Sequence, residues 1–276
     1  MGKFSNTWSL MGASWDLLKK DREILVFPFI SGLCCLVVLA SFAIPIILTG
    51  SHSPDAAAHS EAIGYGTLFT FYFCTYFVIT FFNTAIVACA AHRMNGGDPT
   101  VSYGMQAAFS RFNGIFGWAL LQATVGLILR VIEDRSDLVW RIVAGLLGMA
   151  WTVTSFLVIP VLVVEKIGPI DAVKESATLL RKTWGEQLIG NCSFGLVFLV
   201  LAIPAPIFAV IGFMSGSGIG AIVGIMATVL YIIGLALIQS ALQAIFQTAL
   251  YFYARDNKAP QGFDNAALAN AVRMKG

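Results

Sequence analysis

The chain has 276 residues, of which 58% are apolar and only 12% charged. With a mean hydropathy of +0.80 it carries more hydrocarbon than a water-soluble fold of this size can bury. Its net charge of +2 is too small and too dispersed for a nucleic-acid surface, so the composition points to an all-α protein of the lipid bilayer.

In chain order, Phe4, Trp8, Met11, Trp15 and Leu18 recur at helical spacing while Asp16, Lys19 and Lys20 fall opposite. This predicts an amphipathic helix at the headgroup boundary, with Trp8 and Trp15 as anchors. No signal-peptide cleavage is expected, and Asn6 misses the myristoylation pattern. The first apolar run, 24–48, leads to a polar stretch holding His52, Asp55, His59 and Glu61, read as a solvated connector because a third metal ligand is missing.

After a second run, 66–91, Gly96-Gly97-Asp98-Pro99 predicts a turn, an Asp N-cap and Pro at the first helical position. A second amphipathic segment follows, with Val101, Met105, Ala108, Phe109 and Phe112 on one face. Runs 112–131 and 138–164 come next, then Gly168-Pro169 and a third segment with Ile170, Val173, Ala177, Leu180 and the anchor Trp184. The last two runs are 188–213 and 219–253, followed by a polar tail, 255–276. At 1.5 Å per residue the final run would be about 50 Å long, which predicts a bend near Gly234 or an extension into water. Pro28, Pro45, Pro160, Pro204 and Pro206 are predicted kinks.

Six crossings put both termini on one side. All but three of the seventeen cations fall there, the exceptions being Arg130, Arg135 and Arg141. The positive-inside bias then makes both termini cytoplasmic, in a cytoplasmic (inner) membrane. All five cysteines lie within apolar runs and read as packing residues.

Interfacial helix, crossing out and crossing back occur three times, which predicts one membrane domain over 1–276 built from parallel units near 4–92, 98–165 and 169–254. Trp8-Ser9-Leu10-Met11-Gly12-Ala13-Ser14-Trp15, Gly96-Gly97-Asp98-Pro99-Thr100-Val101-Ser102 and the stretch from Val161 through Glu186 carry a resemblance. On them the chain resembles a family of prokaryotic six-span membrane proteins of unknown function, and the resemblance implies a membrane location. In layout alone, the chain is also distantly similar to CysZ-type sulfate permeases.

The apolar runs hold almost no charge at mid-depth, so ion-coupled pumping has no carrier. They do hold amides. Gln239, Gln243 and Gln247 recur every fourth residue and form one stripe, with Asn83, Gln122 and Asn191 as possible partners. Exposure to lipid would leave those amides unmet, so the stripe faces protein or water. Gly216, Gly220, Gly224 and Thr228 form a ladder of small residues that admits close helix contact, within the chain or in a homo-oligomer.

Walker, HExxH and GxSxG patterns are missing, so no catalytic residue, metal ligand or cofactor is assigned and enzymatic activity is not expected. The leading reading is a passive channel or facilitator for a small polar solute or ion, lined by the amide stripe. The rival is a membrane scaffold or assembly protein acting through helix contacts with itself or another membrane protein. Membrane lipids are the one partner both readings share.

Overall fold

The computed structural model describes residues 3–49, 57–134, 137–184, 193–265 and 268. Among them every regular element is helical. The order is α1 (Lys3–Lys20), a 3-10 turn (Arg22–Leu25), α2 (Val26–Thr49), α3 (Ala57–Met94), α4 (Val101–Ser110) and α5 (Phe112–Glu133). Then follow α6 (Leu138–Thr154), α7 (Val158–Val164), α8 (Pro169–Trp184), α9 (Ser193–Ala202), α10 (Ala205–Met214) and α11 (Gly218–Asp256).

Six helical stretches are long and apolar enough to cross a bilayer: Arg22–Pro45, Gly64–Met94, Phe112–Glu133, Leu138–Val164, Val197–Met214 and Gly218–Asp256. The chain is a multi-pass membrane protein. Helix α3 is central, packing against α2, α4, α5, α7 and α11. The end carrying Arg93, Arg111, Lys166 and Arg255 is called the basic end below, and the end carrying Arg130 and Arg141 the far end.

The prolines act unequally. The fourth crossing breaks between α6 and α7 at 155–157, because the ring of Pro160 cannot share space with the carbonyl one turn earlier. Ser176, fully buried on α8, mends the break: its hydroxyl donates to the Thr154 carbonyl (2.7 Å) and accepts from the Leu157 amide (3.2 Å). The fifth crossing breaks between α9 and α10 at Ile203–Pro204. Helix α2 continues through Pro45. Helix α11 runs 39 residues without interruption at Gly234, so its extra length carries it past the bilayer.

One cap differs from expectation. Asp98 does not cap α4; Thr100 does, its hydroxyl accepting from the Tyr103 amide at 3.2 Å. Asp98 is instead drawn to the guanidinium of Arg93, a charged partner stronger than a backbone amide.

The amphipathic helices are also rotated from their expected faces. In α1 the buried residues are Leu10, Met11, Ser14, Leu17 and Leu18, while Trp8 and Trp15 point outward. In α4 only Gly104 and Ala108 are buried, and Phe109 is exposed. In α8 Ala172, Ser176, Leu179 and Leu180 are buried, and Ile170 is exposed. Apolar periodicity marks two surfaces at once, one against protein and one against lipid, and centres its estimate between them.

The three helices dock on the ends of crossings that run toward the basic end. α4 packs on α3, α8 on α7, and α1 on α11. Their buried strips join Phe81–Ala91, Leu157–Leu162 and Ala241–Tyr253 in one core at the basic end.

Candidate functional site

Helix α5 provides a depth scale. From Arg111 to Arg130 it rises about 28 Å at 1.5 Å per residue, close to the hydrocarbon thickness of a bilayer. Two contacts transfer that scale to its neighbours. The Thr80 hydroxyl donates to Gln122 Oε1 across the α3–α5 seam at 3.3 Å, and Trp118 stacks on Trp151 of α6 with centroids 5.6 Å apart.

Gln122 thus lies near the bilayer midplane, about 16 Å from the Arg111 level. One turn nearer the basic end, Thr84 and Trp118 face the same seam and are buried, yet Thr84 Oγ1 and Trp118 Nε1 have no hydrogen-bond partner. Aromatic rings fill the rest of the seam, Phe73, Phe77 and Phe81 meeting Phe116, Phe112 and Phe109 in T-shaped contacts. Asn83 is half-buried on another side of α3.

The glutamine stripe lies elsewhere. The hydroxyl of Tyr251 donates to Glu165 at 2.9 Å, which fixes α11 against the end of α7. Counting back along α11 from Tyr251 puts Gln247, Gln243 and Gln239 about 6, 12 and 18 Å nearer the far end. Gln243 is exposed and Gln239 and Gln247 are half-buried. Their face is opposite the buried strip Ala241, Ile245, Thr248 and Phe252, and among the described residues their side chains make no hydrogen bond. Gln122 therefore sits in the seam with Thr80 while the stripe points out of the protomer. Asn191 lies outside the described residues.

The glycine ladder is occupied within the chain. A methyl group on Gly224 would come within 2.5 Å of the Phe208 carbonyl oxygen, and one on Gly212 within 2.8 Å of Gly224 Cα. Thr228 closes the contact by donating to the Ala205 carbonyl at 3.1 Å. The same kind of approach at Gly220 meets Ser215 of the connecting turn. Gly216 belongs to the turn itself, with φ +67°. The ladder is thus the seal between α10 and α11.

Trp8 is 65% and Trp15 38% exposed, with the Lys19 ammonium 5.6 Å above the Trp15 ring. The side chain of Trp184 and those of His52, Asp55 and His59 lie outside the described residues.

Sequence reading missed the clamp that organises the basic end. The guanidinium of Arg93 binds both carboxylate oxygens of buried Asp21 and also Asp98. Asp21 leads from α1 into the first crossing, and Arg93 ends the second. The clamp ties the two hairpin ends to the α4 turn. A charge as distant in sequence as Asp21 is from Arg93 leaves no periodic signal. A second cluster joins Glu165, Tyr251, Arg255 and Asp256.

The sequence was compared with known proteins. No curated protein and no solved structure matches it, so the CysZ-type layout has no match behind it. Residues 62–262 match the family of unknown function DUF6159, which spans the second through sixth crossings, the α3–α5 seam and the α10–α11 seal, and the chain belongs to that family.

Proposed function

We propose that the protein is a non-enzymatic membrane assembly protein whose outward amide face on α11 receives a partner helix, most simply that of a second copy. The carrying observation is the position of Gln239, Gln243 and Gln247 on the side of α11 turned away from its own core. That face continues from Ile232 and Ala236 into the amides, so it starts within hydrocarbon and has no internal partner there. Amides on a facing helix meet this need, each contact contributing about 0.6 kcal/mol and fixing register more than strength. Read with the positive-inside bias, the basic end is cytoplasmic.

The channel or facilitator reading is supported by a different observation, the orphan polar atoms of Thr84 and Trp118 beside the Thr80–Gln122 pair. A pathway would run through the α3–α5 seam and leave the stripe aside.

One experiment separates the two. Gln243→Cys should cross-link to a neighbouring membrane protein in native membranes, while Ile219→Cys at the far end of the same helix should not. Vesicles holding the purified protein should retain small polar and ionic tracers. Tracer leakage abolished by Gln122→Leu, with no cross-link at position 243, would replace assembly with transport.

A further inference from the structure

We propose that a cleft at the basic end, between the α4–α5 junction and the α7–α8 turn, binds the phosphate headgroup of an anionic glycerophospholipid. The cleft has a volume of about 510 Å³. Ser110, Arg111 and Asn113 line it from the first side and Lys166 from the second, with Phe112 and Leu162 adding apolar surface.

Three observations converge on this ligand. The first is uncompensated charge. Most described carboxylates of this end are engaged elsewhere: Asp16 with Lys19, Asp21 and Asp98 with Arg93, Asp171 with Lys174, Asp256 with Arg255, and Glu165 with the Tyr251 hydroxyl, while Glu23 and Glu175 form no ion pair among the described residues. Among the described residues, none pairs with Arg111 or Lys166. Two cations therefore share one cavity with the Asn113 amide, a donor set suited to a phosphate, while the Ser110 hydroxyl donates to the Ala107 carbonyl at 2.7 Å.

The second is position. Arg111 joins the end of α4 to the start of α5, and the first-turn residues Phe112, Asn113 and Gly114 line the same cavity. Lys166 holds φ +62°, the left-handed conformation that follows a helix end and is normally given to glycine. A lysine there carries a backbone cost of about 1 kcal/mol that glycine would avoid, and it lines the cleft.

The third separates a lipid from a free anion. Phe112, Phe116 and Leu120 are 44%, 45% and 42% exposed and follow one another at single-turn spacing along α5. They form an apolar track from the cleft toward the midplane. A free phosphate would meet the cations and ignore the track, whereas a phospholipid uses both: headgroup in the cleft, acyl chain along the rings.

The test follows thermal unfolding of the full-length protein in detergent as phosphatidylglycerol, phosphatidylcholine or inorganic phosphate is added. Phosphatidylglycerol should raise the midpoint saturably and phosphatidylcholine should not. Arg111→Gln and Lys166→Gly should each weaken the apparent affinity about fivefold, the effect of one basic residue at an anionic lipid. Lys166→Gly keeps the test independent of folding, because glycine suits the backbone and the variant's own midpoint should hold or rise. Lys174→Gln, which removes a cation of the same end outside the cleft, should behave as wild type. Equal responses to the two lipids, or equal losses from Lys166→Gly and Lys174→Gln, would overturn the proposal. If inorganic phosphate alone reproduces the shift, the lipid is overturned in favour of a free anion.

Discussion

The two halves of α11 have similar apolar content and opposite surroundings. From Ile219 to Ile233 the far-end half exposes nine large apolar side chains to the bilayer. From Thr248 to Tyr253 every residue is buried by protein. The same contrast holds throughout, since the core gathers at the basic end where α1, α4 and α8 dock, and far-end contacts are narrow helix pairs. In water such a difference would follow from hydrophobic burial. In a bilayer lipid competes for apolar surface on equal terms, so packing builds up where polar and charged groups add specific contacts.

Removing the polar fastening at each end in turn should give the largest difference between the two ends. Arg93→Ala would leave Asp21 buried with its charge uncompensated, a change that costs about 3 kcal/mol or more. Arg130→Ala removes exposed pairs with Glu133 and Asp134 on a single helix and should cost at most about 0.5 kcal/mol. Chemical denaturation of both variants in the same detergent measures the ratio. Equal losses would mean that stability is spread evenly over the bundle.

The far end has a tight contact of its own, between α10 and α11. Gly224→Ala pushes a methyl group against the Phe208 backbone and should cost about 2 kcal/mol while parting α10 from α11. Gly234→Ala, farther along α11 and with nothing within 4 Å of the new methyl, should be neutral or stabilising by about 0.5 kcal/mol. Denaturation midpoints show the stability difference, and a cysteine pair across α10 and α11 reports whether the two helices part. A tolerated Gly224→Ala would mean that the far end is held by lipid alone.

These contacts also show what the sequence made legible. The spans were visible because crossing a bilayer demands length and low charge in one continuous run, which needs no knowledge of neighbours. The faces of α1 and α8 came out rotated because lipid and protein both accept apolar side chains: Trp8 and Leu10 carry the same signal and only packing separates them. The glycine ladder pointed to a close contact, but choosing α10 as the partner required the turn at Gly216. The Arg93 clamp left no local signal, since pairing with Asp21 depends on α1 lying beside α11 and the first two crossings returning together. Gln122 and the stripe share chemistry but lie on different helices, one facing a seam and the other facing outward, which composition does not encode.

The smallest effect concerns the turn between α3 and α4, where cap and clamp compete for one short segment. If Thr100 caps α4, Thr100→Ala exposes a helix-start amide and should cost about 1 kcal/mol. Asp98 is 88% exposed and shares Arg93 with the better-buried Asp21, so Asp98→Ala should cost about 0.3 kcal/mol and leave the clamp closed. Were Asp98 the cap, the order would reverse. The double variant tells more than either single one, because the two residues serve different helices and their losses should add. A loss well beyond the sum would show that the start of α4 and the end of α3 are fastened as one unit, with Arg93 bracing both.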